Sequence, residues 1–272
     1  MLITDWLHSS QLLPHRLHIE RHGNPHGPQV VLIHGIATSS AIWQPLIREL
    51  QADYHLITLD LLGHGQSPKP TQLEYTTDEH VRAIRWTLFT HGLWRPSIFV
   101  GFSIGALIAS RLAAHYPHVA RRLVLAAPPI YKQPTDLSTS AADTVIDRAY
   151  LSIYRALRRV PKRVAVRSAD MVKRRIPAVL GVNRLDEHTW YPIVSTLRST
   201  IEQQAVSRDV DRWGSRIPAA VFYGSLDHLV IAKNVRAVFA RRSGVHLERL
   251  VAPHELTKTY LRHIAAAIRE AV

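Results

Sequence analysis

The pentapeptide Gly101-Phe102-Ser103-Ile104-Gly105 closes an apolar, β-prone run from Ser97 and opens a helix-favouring run, Ala106 to His115. A serine with glycine two residues before and two after it, at a strand-to-helix junction, constrains this chain more than any other feature. The turn is sharp, the crossing backbones must approach closely, and glycine alone leaves them room. Such a nucleophile elbow presents the serine hydroxyl at the carboxyl end of its strand. The pattern predicts a central strand over Ser97–Phe102 and a helix from Ser103 to Tyr116, stopped by Pro117. Taken by itself Ser103 can also be read as a plain helix cap, so the surrounding chain has to decide.

That chain alternates strand and helix. His15 to His22 alternates loosely, and after Gly23-Asn24-Pro25 the run Gln29–Ile33 reads as a buried strand ending at His34-Gly35, so a hairpin is expected to open the sheet. A helix is expected from Ala41 to Gln51, capped by Ser39 or Ser40, and a buried strand over Leu56–Leu59. Asp60 to Ser67 follows as a glycine-rich turn; it lacks the spacing of a phosphate cradle and reads as structural, with His64 explained by the turn. A helix from Thr77 to about Thr90, a strand over Leu123–Ala127 before Pro128-Pro129, a strand over Ala219–Tyr223, a helix from about Ile231 to Arg242, a strand over His246–Val251 and a final helix from about Glu255 to Ala271 complete the rhythm. This alternation predicts an α/β fold with a mostly parallel sheet covered on both faces.

Between Ile130 and Ile217 the rhythm stops. The segment is helical in character, with Pro161, Pro177 and Pro192 as breakers, and it is rich in Lys and Arg; from Arg148 to Arg175 the one acid is Asp170. We read residues 1–129 and 218–272 as the core and 130–217 as an inserted helical cap. The whole chain carries a net charge of +13, which suits an anionic surface, an acidic partner or simply solubility. The basic cap could receive an anionic or carrier-bound substrate or lie on an anionic membrane, or could be a solvated face. No nucleic acid partner is expected. Cysteine is absent from the 272 residues, which excludes disulfides, thiolate catalysis and cysteine-bound metal. His18, His22 and His26 are spaced like ligands on a helix, but Gly23, Pro25 and Gly27 break any helix there, so no metal site is expected. Met1 to Gln11 has no basic stretch leading an apolar core, and no run approaches the roughly 18 apolar residues of a membrane span. A soluble, cytoplasmic protein is the expectation.

Acyl transfer from serine needs a base beside the hydroxyl, a carboxylate to orient that base, and amide donors where the oxyanion forms. Asp227 lies just beyond the strand Ala219–Tyr223, and His254 just beyond the strand His246–Val251. Both stand at carboxyl ends of strands, where open α/β sheets place their sites. Asp227 can also be read as a turn residue, with Asp136 as the alternative acid, and His254 as a packing histidine.

With these residues in view, the chain resembles the α/β-hydrolase superfamily, in its capped branch of serine esterases and C-C bond hydrolases. The resemblance runs from Val30 to the last helix and rests on His34-Gly35, Asp60 to Ser67, Gly101 to Gly105, and the Asp227 and His254 positions. It implies Ser103 as nucleophile, His254 as base, Asp227 as acid, and the backbone N–H groups of Ile36 and Ile104 as the oxyanion hole, with His34 and Asp60 as structural loop residues and no cofactor. The chain departs from the family in carrying Ala252-Pro253 before His254, where glycine is frequent, and Glu255 behind it. The implied activity is hydrolysis of a carboxylic ester through an acyl-enzyme. C-C bond cleavage, an acyl-carrier ester as substrate, or a non-catalytic ligand-binding protein on the same scaffold are the alternatives. A serine in place of aspartate at the elbow disfavours alkyl-enzyme chemistry.

Overall fold

The structure is a computed structural model that describes residues 13–131, 187–202 and 204–271. Seven strands form one sheet: β1 (Ile19–Gly23), β2 (Gln29–Ile33), β3 (His55–Leu59), β4 (Ser97–Phe102), β5 (Ala120–Ala126), β6 (Ala219–Gly224) and β7 (Val245–Leu250), in the spatial order β1-β3-β2-β4-β5-β6-β7. All neighbours are parallel except β1, which runs antiparallel to β3. The strands β2, β4 and β6 are buried along their whole length, as continuous apolar runs covered on both faces require.

The expected opening hairpin does not form. β2 is taken on both edges by β3 and β4, and β1 instead pairs with the outer edge of β3, Ile19 opposite Leu59. The chain after β1 is carried across because Asn24 N–H donates to the carbonyls of Gln51 and Tyr54, at 3.1 and 3.0 Å. Gly23, at φ +79°, has those same two carbonyls where a side chain would stand.

Seven helices are described. α1 (Gln44–Leu50) follows a 3₁₀ turn, Ser40–Trp43; the single helix expected from Ala41 is divided there because Pro45 has no N–H to continue it and suits a first turn. α2 (Thr77–Thr90) is fixed at its start by a capping box, Glu79 N–H donating to Thr76 Oγ1 and Thr76 N–H to the Glu79 carboxylate. α3 (Ile104–His115) leaves the elbow. α4 (Glu187–Thr196), a π-helical turn (Leu197–Glu202) and α5 (Val206–Trp213) precede β6, and α6 (Ala232–Phe239) and α7 (Lys258–Arg269) follow it. α2, α3, α5 and α6 cover one face of the sheet, while α1 and α7 pack together over the other.

Pro192 was expected to break a helix yet lies inside α4. The lost hydrogen bond is tolerated where the ring packs on the Asp60–Ser67 turn, at Gly63. Most of residues 130–217, with Asp136 and the basic stretch Arg148–Arg175, lies outside the described residues. The part that is described is tied to the core, Tyr191 Oη donating to Leu73 O, Ser199 Oγ to Glu74 O and Thr200 Oγ1 to Tyr75 O.

Candidate active site

The site forms where β4, β6 and β7 end. Ser103 sits between β4 and α3 with φ +55° and ψ −121°, a conformation that costs a non-glycine residue on the order of 1–3 kcal/mol and persists only where the surroundings impose it. Here they do. Ser103 N–H donates to Ala126 O at the end of β5, and Ser103 O accepts from Ala106 N–H. A side chain at Gly101 would run into the backbone of Gly105, and one at Gly105 into the carbonyls of Ile33 and His34. Both glycines of the motif are therefore demanded by the close approach of α3 to β4 and β2.

Ser103 Oγ lies 3.0 Å from His254 Nε2, and His254 Nδ1 lies 2.8 Å from Asp227 Oδ2. The Asp227 side chain is fully buried, while the His254 ring is 16% exposed. The second carboxylate oxygen of Asp227 accepts from Leu229 N–H at 2.9 Å and Val230 N–H at 3.0 Å. Two amides thus hold Oδ1, leaving Oδ2 for the imidazole. With Nδ1–H donated to that carboxylate, Nε2 is left as an acceptor for the serine hydroxyl. The ring of Phe102 packs against His254, centroids 5.7 Å apart, and against Tyr260 behind it. The departure at Ala252-Pro253 leaves this arrangement intact: Ala252 O accepts from Leu226 N–H and binds the loop after β7 to the loop after β6.

The loop after β2 lies alongside. A side chain at Gly35 would meet Ser103 Cβ at 3.2 Å, which places Gly35 and Ile36 next to the serine. Ile104 begins α3, and the first amides of a helix have no partner within it and point toward the positive end of its dipole. The post-β2 loop is held from behind by buried polar groups. His34 Nε2 accepts from Leu61 N–H at 2.9 Å, so Nδ1 carries the proton and donates to Gly35 O at 2.6 Å. The Asp60 carboxylate accepts from Ser40 N–H and Gln66 N–H at 2.7 and 2.8 Å, and Ser67 Oγ donates to Asp60 O. Burial pushes the Asp60 carboxyl up, but the hydrogen bonds from Ser40 and Gln66 together outweigh it and hold it below its ordinary value. Gly65 is required because its Cβ would strike that carboxylate. Asp60 to Ser67 is thus a structural knot.

Behind it lie three histidines, His34, His64 and His80, each excluded from water. The rings of His34 and His64 are 5.4 Å apart. Burial is the main cause that pushes all three down, His34 and His80 to about 3 and His64 to about 4, so they are neutral. Neither ring nitrogen of His80 has a hydrogen-bond partner among the described residues. Sequence reasoning passed over His80 as an ordinary member of its helix; its place on the apolar stripe with Val81 and Ile84 was the available signal. It also missed Leu229 and Val230, whose contribution is backbone and leaves no trace in residue type.

His18 and His22 flank Glu20 on one face of β1, at 3.6 and 3.4 Å. No three His, Cys, Asp or Glu side chains among the described residues converge as a metal site would need, and no helix among them is long and apolar enough to cross a membrane.

The chain is 36% identical over 110 residues to the probable lysophospholipase BODYGUARD 2 of Arabidopsis thaliana, a match that covers 39% of this chain and only 23% of that protein. It is 34% identical over 112 residues to a pimeloyl-[acyl-carrier protein] methyl ester esterase of Xylella fastidiosa, covering 41% of each. The chain therefore matches well under half the length of these curated relatives. In fold it is similar to a loop variant of the haloalkane dehalogenase DbeA from Bradyrhizobium elkanii, with a TM-score of 0.75 at 20% identity over 94% of this chain and 93% of the other. The profile described as alpha/beta hydrolase fold matches residues 28–254, a span that holds every strand from β2 to β7 as well as Ser103, Asp227 and His254, and the chain belongs to that family.

Proposed function

We propose that this chain is a serine hydrolase that cleaves a carboxylic ester through an acyl-enzyme. The observation that carries the reading is the unbroken chain Ser103 Oγ, His254 Nε2, His254 Nδ1, Asp227 Oδ2, with links of 3.0 and 2.8 Å. In this reading Ser103 Oγ attacks the ester carbonyl as its proton passes to His254 Nε2. The N–H groups of Ile36 and Ile104 receive the oxyanion, an interaction worth about 100- to 1000-fold in rate per donor. His254 then delivers the proton to the departing alkoxide. A water gives its proton to His254 and attacks the acyl carbon, and His254 returns that proton to Ser103 Oγ as the acid leaves. Asp227 stays ionised throughout and steadies the imidazolium. No step calls for a metal or cofactor. Residues 130–217 form an inserted cap over the pocket, and the expected location is cytoplasmic.

A serine at the elbow separates this reading from displacement at an alkyl carbon, since the intermediate it forms is an ester that water can reopen at the carbonyl. A carrier-bound ester is the second reading of the substrate, favoured by the similarity to the Xylella fastidiosa esterase.

The test is covalent labelling. A fluorophosphonate should modify Ser103, located by mass spectrometry of the digested protein, and Ser103→Ala should abolish both labelling and turnover of a short p-nitrophenyl ester while the fold persists. A label on another residue, or full turnover by Ser103→Ala, overturns the reading.

A further inference from the structure

We propose that the end of the sheet opposite Ser103 is a docking face for an anionic lipid bilayer. Two features meet there, around the end of α2 and the loop that joins it to β4. The first is aromatic. Trp94 is 65% exposed and Phe89 52%, and the rings of Trp86, Phe89 and Trp94 form one cluster, Trp86 stacked on Phe89 at 6.0 Å and Phe89 edge-on to Trp94 at 5.3 Å. The second is a cleft of about 310 Å³ that begins at the next residue, walled by His26, Gln29, Arg95, Ile98 and Arg121 with no carboxylate among its lining residues. Arg95 and Arg121 have no ion-pair partner among the described residues. A third guanidinium, Arg21, donates to the carbonyl of His91 in the same loop. Burial and then the charges of Arg21 and Arg95 hold His55 below its ordinary value, which marks the region as electropositive.

Exposed indole and phenyl rings beside unpaired guanidinium groups match the boundary of an anionic bilayer, where rings settle at the headgroup level and cations meet phosphate. The Phe89 and Trp94 rings are exposed at the surface and line no groove, so they suit a fluid partner that has no pockets of its own. A second copy of a chain carrying +13 would set the same cationic cleft against itself. The docking face and Ser103 lie at opposite ends of β4, roughly 20 Å apart at the rise of a strand. Bound in this way the protein keeps the Ser103 end open to water, so the bilayer anchors it without supplying substrate to that site.

The experiment is co-sedimentation of the full chain with vesicles of phosphatidylcholine alone or mixed with phosphatidylserine. Binding is expected to the mixed vesicles, to be released by raised salt, and to be at least about tenfold weaker on phosphatidylcholine alone. The pair Arg95→Glu and Arg121→Glu should weaken it about thirtyfold or more, and the pair Phe89→Ser and Trp94→Ser about tenfold or more. Equal binding to both vesicle types, or binding that survives both pairs of substitutions, overturns the proposal. So does binding lost on charge reversal at Arg155, Arg158 and Arg159 instead, which would move the contact to the basic insertion. A concentration-dependent dimer in ultracentrifugation that Trp94→Ser dissolves would make the patch an interface between copies and likewise overturn it. Sedimentation reads binding and not turnover, so a failure of Ser103 to label leaves this test standing.

Discussion

Three neutral histidines packed behind the loop after β2 make stability fall as the solution turns acidic, and the size of the fall follows from where they lie. His34, His64 and His80 have folded-state pKa values pushed down to about 3, 4 and 3 by burial. In the unfolded chain each takes a proton near pH 6.5, so below that pH the unfolded state binds more protons and gains free energy relative to the folded one. Their contribution is intact above about pH 6.5 and is lost progressively as the pH falls toward 4. At pH 5 the loss is about 2 kcal/mol for each, or about 6 kcal/mol for the three, and it depends little on the folded value once that is near 4 or below. Asp209 acts the other way: burial raises it to about 6 against the attraction of Arg111, 3.2 Å away, and its protonation returns about 1 kcal/mol at pH 5. The balance, about 5 kcal/mol, rivals the whole stability of a typical domain. Urea unfolding followed by tryptophan fluorescence at about pH 7.5, 6 and 5 should show it directly, with a slope near 4 kcal/mol per pH unit at the acid end before the Asp209 offset. His80→Leu should remove about a third of that slope, and should raise stability at neutral pH by about 1–3 kcal/mol because it removes unpaired buried nitrogens. A loss below about 1 kcal/mol between pH 7.5 and 5, or a slope unchanged in His80→Leu, would refute the argument.

Asp227→Asn should lower kcat by about four orders of magnitude with the fold retained, since the amide favours the wrong imidazole tautomer and cannot steady the imidazolium; Asp136→Asn should change kcat little, and the reverse ranking would move the acid to the loop after β5. Gly105→Ala should cost more stability than a surface change, because its Cβ meets the carbonyls of Ile33 and His34, and should also lower labelling of Ser103; thermal melts and fluorophosphonate labelling together check it. If the basic stretch of residues 130–217 receives an anionic or carrier-bound ester, KM for that ester should rise with salt while KM for a small neutral ester stays level, and charge reversal at Arg155, Arg158 and Arg159 should erase the difference.

The parts of this fold that were legible in the sequence are those whose cause is local. The strand Ser97–Phe102, the helix after it and the two glycines around Ser103 announce themselves through side-chain type and backbone sterics, and the structure has the strand at the same residues and the helix one residue shorter at each end. Asp227 and His254 were legible by position, each just past a strand, and the structure brings both to Ser103. What failed was pairing across distance. Gly23-Asn24-Pro25 looks like a hairpin turn, but which edge β1 joins depends on β2 being paired on both sides, and nothing within those residues carries that. Pro192 failed similarly: whether a proline ends a helix depends on what packs on its ring, here Gly63, far away in sequence but adjacent in space. The amides that hold Asp227 were invisible because any residue would supply them.

The donors and acceptors that fix the site are almost all main chain: Ala126 O on Ser103, Leu229 and Val230 N–H on Asp227, Leu226 N–H and Ala252 O between the two loops. Their places follow from strand register, since β4, β5, β6 and β7 are neighbours in that order and end at the same rim. Side-chain identity is demanded where backbones cross, at Gly101 and Gly105, where a carboxylate organises a loop, at Asp60 and Gly65, and in the hydrogen-bonded chain of Ser103, His254 and Asp227. A scaffold held by its backbone can exchange most of its residues and keep the rim intact, and so the fold is shared at 20% identity with a dehalogenase. Under this reading the reaction depends on the group set at the elbow, here Ser103, and on the segment between β5 and β6, while the sheet of this chain holds that group through main-chain contacts.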